Sequence, residues 1–431
     1  MRLAGQLLTV EKDTGRVLDS RGTETMPDGQ IYTPCGNRRA AVCPSCSETY
    51  RADTYQLIRA GLVGGKGIPE TVASHPAVFL TLTAPSFGFV HTRRTSKNGK
   101  AIPCRPRRTV DICPHGVDLT CGHVHKEGEH VLGEPFCLDC YQHEHQVVWN
   151  HLSGELWRRT SIALSRELTR AAKALGIPFI PVHTVDANGK TRTRRVPPLR
   201  LSYAKVAEFQ ARGVVHFHSL MRLDGYDPHR PTEILPPDPR LTRAVLENLI
   251  KHVFAATAFH TEPHPRNPHG WAMTWGHTDV RPVHIRADGE ITDTQVAGYL
   301  AKYVTKATET TGHVSRRLNS ETIDIYADAT THTGRLILAA WELGDTYGRR
   351  PDTNWWHKLR RWTHMLGFGG HPSTRSRRYS VTMRILRQNR IEHARREVRA
   401  ADHTDDETTL IVGLLTYAGT GWKTTGDALL A

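Results

Sequence analysis

The chain has 431 residues and a mass of 48.4 kDa, with 38% hydrophobic and 23% charged residues, enough to bury a sizeable core in about two or three domains. No apolar run approaches the ~18 residues of a membrane span, and residues 1–10 lack an extended apolar stretch with a small-residue cleavage site, so no membrane partner is expected and the expected location is the cytoplasm. Lys and Arg number 57 against 43 Asp and Glu, a net charge of +14; phosphate neutralisation with counterion release makes nucleic acid the first expected partner, with ribosomal or acidic-lipid surfaces as alternatives.

All eight cysteines fall between Cys35 and Cys140. In a reducing compartment such clustering points to metal rather than to a disulfide scaffold. The spacings Cys35-x7-Cys43-x2-Cys46, then Cys104, then Cys113-x7-Cys121-x15-Cys137-x2-Cys140 divide into two four-thiolate zinc sets. Cys104 completes the first set; Cys113, Cys121, Cys137 and Cys140 form the second. Tetrahedral Zn²⁺ favours thiolates, and a CxxC turn delivers two of them at little ordering cost. Four protein ligands leave no open position, so such sites are structural. The alternative is a mixture of free thiols and one zinc site completed by His123, His125, His143 or His145. A redox role is disfavoured, because neither CPSC nor CLDC lies in a βαβ pattern.

In chain order, residues 76–83 read as a buried strand ended by Ala84-Pro85. Residues 146–175 read as a long helix, with Val147, Leu152, Leu156, Ile162, Leu164, Leu168 and Leu175 at approximate helical spacing and Gly176-Ile177-Pro178 as its stop. A hairpin follows, with strands at 199–209 and 214–223 around Ala211-Arg212-Gly213. A helix at 241–258, a strand at 280–285 and helices at 292–308, 331–343 and 355–366 complete the pattern. Residues 375–399 hold nine arginines and no lysine, opposed by Glu392 and Glu397. That is either a solvated charged helix or a DNA-contacting surface of Arg375, Arg377, Arg378, Arg384 and Arg387, with Tyr379 and His393 interleaved for base stacking. The only Walker-like stretch, at 419–424, lacks the spacing of a phosphate-binding loop.

Strand alternation sends His216 and His218 to one face and Phe217 to the other. Two neutral imidazoles two apart can bind a divalent metal with a carboxylate from the neighbouring strand, where Glu208 stands opposite and Gln210 is the alternative. The same HxH tripeptide recurs at His123/His125 and His143/His145, so a packed histidine pair is the competing reading. In the helix at 292–308, Tyr299 and Tyr303 share a face, with Lys302 and Lys306 within a turn of both. A phenol of pKa ~10 is a poor nucleophile at neutral pH. A metal polarising a phosphate, with lysines stabilising the developing charge, would overcome that. Core packing of both rings is the alternative.

At these residues the chain resembles the HUH rolling-circle replication initiators, particularly those of actinobacterial plasmids. VFLTLTAPSFG at 78–88 is similar to their first motif, EFQARGVVHFHSLMRLDG at 208–225 to their metal motif, and GYLAKYVTK at 298–306 to their tyrosine motif. CGNRRAAVCPSC, CRPRR and HMLGFGGHPSTRSRRYS extend the likeness over most of the chain. The two central motifs are also similar to the replication domain of Helitron transposons, and the paired tyrosine to the initiator of small single-stranded DNA phages.

The resemblance implies an α+β HUH endonuclease fold, a central antiparallel sheet flanked by helices. It also implies an N-terminal zinc segment at 1–75, an endonuclease domain at 76–310 with a zinc insertion at about 100–145, and a basic helical C-terminal region at 311–431. The implied activity is nicking of single-stranded plasmid origin DNA through a 5′-phosphotyrosine on Tyr303, then strand transfer and rejoining. Tyr299 aligns with a second nucleophile or with a glutamate of some relatives. His216, His218 and Glu208 would hold Mg²⁺ or Mn²⁺, and a host helicase and replication machinery would be partners; the two structural Zn²⁺ are expected from the cysteine spacing. A relaxase or Helitron-like transposase, and a non-enzymatic zinc-stabilised DNA-binding regulator, are the alternative readings.

Overall fold

A computed structural model describes the chain apart from residues 27, 41, 186, 284–293, 304–316, 346–354, 403–407, 420 and 422–431. Its contacts divide it into two compact units, Met1–Ile58 with Val381–Ala431, and Arg59–Ser380, whereas the sequence suggested boundaries near 75 and 310. Labels below run in chain order. In the first unit, β1 (Arg2–Glu11) pairs antiparallel with β15 (Thr409–Gly419), from Arg2↔Gly419 to Glu11↔Thr409, so residues near the two ends of the sequence share one sheet. β2 (Val17–Gly22) and β3 (Ile31–Tyr32) also pair with β1. The N-terminal part of α1 (Pro44–Val63) and α8 (Met383–Asp402) belong here, joined by an ion pair between Arg390 and buried Asp53.

The second unit is built on a five-stranded sheet, ordered β13 (Thr278–Pro282), β4 (Ala77–Leu82), β10 (Val215–Gly225), β9 (Leu199–Phe209) and β14 (Ser373–Arg375). Every pairing is antiparallel, and β10 is central. Three two-stranded ribbons accompany it: β5 (Arg94–Thr95) with β6 (Ala101–Ile102), β7 (Ile180–Val185) with β8 (Thr191–Val196), and β11 (Ala258–His260) with β12 (Ala272–Thr274). The helices are α2 (His143–Ala174), α3 (Arg243–Ala256), α4 (Thr294–Tyr303), α5 (Ile323–Tyr326), α6 (His332–Asp345) and α7 (Trp355–Arg361). This mixed α and β architecture with antiparallel sheets agrees with the expected class. The expected hairpin strand 199–209 is β9 to the residue, whereas α2 starts at His143 rather than 146. Residues 284 and 285 of the expected strand, and 292, 293 and 304–308 of the expected helix, lie outside the described residues.

One face of the sheet is covered by α2 and α3. Val147, Val148, Leu152, Leu156, Leu164, Leu168 and Ala172 of α2 are buried at helical spacing. They meet Leu80, Leu82, Phe217, Met221 and Leu223 of the sheet, Ile250 and Phe254 of α3, and Leu336 and Ala340 of α6. Each fully buried Leu or Phe contributes about 1.5–3 kcal/mol. α2 stops where Gly176 takes φ +68°, letting the Gly176 and Ile177 N–H groups reach back to Lys173 O and Ala172 O. α3 begins at Thr242, whose side chain accepts from the Val245 N–H.

Lys205 sits on this apolar face, its Nζ 4.2 Å from the centroid of Phe217 and 4.7 Å from that of Trp157. Burial pushes its ammonium down to about 7. An unfolded lysine holds its proton to about pH 10.4, so between pH 7 and 10 the folded chain binds fewer protons than the unfolded one and folding gains stability as pH rises. Urea titrations should show wild-type stability rising from pH 7 to 9.5 by on the order of 2 kcal/mol more than that of Lys205→Met. Equal pH dependence in the two chains would place this ammonium in water.

Candidate active site

β9 and β10 place Glu208 directly opposite His216, with Val206 and Thr81 flanking His218 on the same face. The imidazole centroids are 5.5 Å apart and meet edge to face. His218 Nε2 lies 3.2 Å from Glu208 Oε2, its Nδ1 lies 3.3 Å from Thr81 Oγ1, and its ring is stacked over Phe79. His216 Nδ1 lies 3.4 Å from the amide nitrogen of Gln210, whose oxygen accepts from Arg212 Nε at 3.1 Å. His216 Nε2 is buried with no hydrogen-bond partner among the described residues. Burial first, then His218 and Arg212, push the His216 pKa down to about 3, so the ring is neutral. The donor atoms of His216, His218 and Glu208 are less tightly gathered than those of the cysteine clusters described below.

α4 lies against β9. With α2 and α3 on the opposite face, α4 is left the histidine face. Its Ala297, Leu300 and Ala301 are buried, as are Ala204, Val206 and Leu220 of that face, all outside the main core cluster. Tyr299 and Tyr303 are on this helix; their side chains, and Lys306 as a whole, lie outside the described residues. Lys302 is exposed.

The hairpin is held from below by a residue that the sequence pattern did not single out. Buried Asn150 of α2 donates to Gly213 O and Leu366 O, both at 2.9 Å, and accepts from the Val215 N–H at 3.0 Å. Gln146 Nε2 donates to Arg212 O at 2.8 Å, and His332 Nε2 lies 3.0 Å from the same oxygen. Gly213 has φ +75°, and a Cβ there would meet Leu366 Cδ1 at 2.7 Å, so glycine is required on both counts. The available signal was an asparagine at a core-facing position of an apolar helix. Asn150→Ala leaves one N–H and two carbonyls buried without partners and should cost about 3 kcal/mol in a urea titration, with faster hydrogen exchange at Val215. A loss below about 0.5 kcal/mol would mean that the turn holds itself.

The cysteines gather differently from the expected quartets. Cys104 does not complete Cys35, Cys43 and Cys46. It lies with His91, Cys121 and His125, and Cys113, Cys137 and Cys140 take His115 as their fourth neighbour. The physical reason is strand pairing: the Cys104 N–H bonds His123 O, and Arg105 and Cys121 form a two-way backbone bridge, which brings Cys104 beside Cys121. Cys35, Cys43 and Cys46 remain a group of three. Of the expected DNA-contacting arginines, Arg377, Arg384 and Arg387 are exposed, Arg375 and Arg378 half-buried, and Arg375 forms the last residue of β14. His393 is exposed. Tyr379 is not available for base stacking. It is fully buried against Gly61, where a Cβ would come within 2.3 Å of its ring, with Arg222 over the ring at 5.4 Å.

Comparison with known proteins supports the broad expectation. No solved structure matches the chain. A replication initiator protein of Streptomyces ambofaciens is 39% identical over 440 residues, an alignment that covers all of this chain and 85% of the relative. The family model RepSA, described as replication initiator protein, pSAM2, matches residues 1–431. With both likenesses spanning the full sequence, the chain belongs to the RepSA family of replication initiator proteins.

Proposed function

We propose that this initiator is an HUH-type endonuclease that nicks single-stranded origin DNA and keeps the 5′ end on Tyr303. The observation that carries the reading is the central strand β10. It presents His216 and His218 beside Glu208 on the face left to α4, and the buried His216 Nε2 has no partner among the described residues. The donor set is two imidazoles and a carboxylate, which suits a divalent ion. Mg²⁺ or Mn²⁺ held there would supply Lewis-acid polarisation of the scissile phosphate. Thr81 Oγ1 can accept from the Nδ1–H of His218, which leaves its Nε2 as a ligand.

Tyr303 Oη attacks phosphorus; the P–Oη bond forms as the P–O3′ bond breaks, and the departing oxygen takes up the proton that the phenol gives up. Lys302 and Lys306 stabilise the charge that develops on the phosphoryl oxygens. One phosphoester replaces another, so the free 3′-hydroxyl can prime synthesis and later rejoining needs no nucleotide hydrolysis. Tyr299 accepts the strand in a second transfer when the copied origin returns. Arg375, Arg377, Arg378, Arg384 and Arg387 bind backbone phosphates, and strand opening falls to a host helicase.

A labelled single-stranded origin oligonucleotide with Mn²⁺ tests the reading. Wild type should leave an SDS-resistant adduct, and Tyr303→Phe none. His216→Ala should slow its formation by about 10²-fold or more while changing DNA affinity by less than about threefold. An adduct surviving in Tyr303→Phe moves the nucleophile to Tyr299. No adduct from wild type leaves a DNA-binding regulator without this chemistry.

A further inference from the structure

Residues 91–140 form a segment with almost no apolar interior. Its buried hydrophobic side chains are Cys104, Cys113 and Cys137, while Val110, Ile112 and Val124 are exposed. Its regular structure is the pair of two-residue strands β5 and β6 and a few isolated bridges. Such a stretch cannot hold one conformation by hydrophobic burial and needs another source of order. Two donor groups stand where a core would be: His91, Cys104, Cys121 and His125, and Cys113, His115, Cys137 and Cys140. Within each group the four ligand atoms all lie within 4.8 Å of one another.

The separations match a tetrahedron better than a hydrogen-bond network. Zn–N bonds of about 2.0 Å and Zn–S bonds of about 2.3 Å give tetrahedral edges of about 3.3 Å between nitrogens and about 3.5 Å between nitrogen and sulfur. His91 Nδ1 and His125 Nε2 are 3.3 Å apart, and Cys121 Sγ is 3.6 Å from His125 Nε2. His115 Nδ1 is 3.2 Å from Cys140 Sγ and 3.7 Å from Cys137 Sγ. The outer groups fit as well. Glu129 Oε2 holds His125 Nδ1 at 2.7 Å, aiming Nε2 inward, and the Thr92 N–H points at Cys104 Sγ from 3.3 Å. A carboxylate behind a ligating imidazole fixes its tautomer and orientation.

We infer that residues 91–140 bind two structural zinc ions in interleaved order, a Cys₂His₂ site of His91, Cys104, Cys121 and His125 and a Cys₃His site of Cys113, His115, Cys137 and Cys140. Taken in pairs along the chain, the first and third pairs share one ion and the second and fourth share the other. Each ion therefore spans a loop that the other also closes, so neither loop can open alone. The brace reaches the candidate active site. The Gly133 N–H bonds His91 O, and Gly133, at φ +92°, lies so close to the β9–β10 turn that a Cβ would meet Arg212 N at 2.5 Å. This inference is independent of the nicking reading, because both sites are closed and neither needs DNA.

Counting zinc on the intact full-length chain by native mass spectrometry, with elemental analysis, tests it. The count is read as a difference from wild type, so any ion at Cys35, Cys43 and Cys46 drops out. His91→Ala and His115→Ala should each lose one zinc, and Cys121→Ser with Cys137→Ser should lose two. His91→Cys and His115→Cys should restore the wild-type count, which separates a lost ligand from a chain that has failed to fold. Unchanged zinc in the alanine variants, only one ion lost in the double serine variant, or cysteine variants as depleted as their alanine counterparts would each overturn the assignment.

Discussion

The two-residue pleat of β10 is the constraint on which the rest depends. Because successive side chains must leave opposite faces of a strand, Phe217 can enter the α2 core only if His216 and His218 leave on the other side. Core and candidate site are thus one choice of register. A slip of one residue would bury two imidazoles among Leu80, Leu82 and Trp149 and expose Phe217. Eleven paired positions against β9, from Val215↔Phe209 to Gly225↔Leu199, make such a slip costly.

The two ends of this hairpin are secured by different physics. At the turn, Asn150, Gln146 and His332 bond its backbone, so an otherwise exposed loop is fixed by α2 and α6. At the far end, Arg222 and Asp224 form a buried pair with contacts of 2.6 and 2.9 Å, and His75 and Ser202 bond the same carboxylate at 2.8 and 2.6 Å. Burial alone would raise the Asp224 pKa, but the bonds from His75 and Arg222 more than offset it and leave it lowered. The carboxylate is therefore ionised wherever the guanidinium needs it. Such a pair adds little net stability over an apolar equivalent, yet removing one partner strands the other charge in the core. Its contribution to registry comes through Ser202 of β9 and through His75: the hairpin cannot shift without breaking their bonds to Asp224.

What could be read from the sequence follows from how local each signal is. β9, β10 and α2 announce themselves because each has a strong period over ten or more residues and a chemically explicit stop at Gly213 or Gly176. The opposition of Glu208 and His216 follows from the turn length alone. The pairing of β1 with β15 links residues more than 400 apart, and no periodicity encodes which distant strand is the partner. Tyr379 differs from the expectation for a related reason: it stands in an arginine-rich stretch, but its ring fills the space left by Gly61, a fact visible only once both are folded together. The cysteine quartets differ from those expected because CxxC spacing identifies ligands that share a turn, whereas Cys104 meets Cys121 through a strand bridge and takes as its remaining neighbours His125, one of the histidines offered as an alternative ligand, and His91, which no spacing marks.

The insert and the sheet also divide the work of ordering a chain between two mechanisms. Around β10 burial is dense, and removing a methyl group from Phe217's neighbours would be felt throughout the core. Between residues 91 and 140 the apolar side chains are exposed, as at Val110, Ile112 and Val124, or only half-buried, as at Leu119, Leu132 and Phe136. Order there has to come from a few strong, directional bonds, which tolerate almost any intervening sequence but not the loss of a ligand. Joining such a segment to the hairpin turn through Gly133 lets a sequence-tolerant surface module set the position of a chemically exacting strand. It follows that the residues most sensitive to substitution in the insert are the ligands and the glycine at the turn, while the exposed positions between them are free to vary.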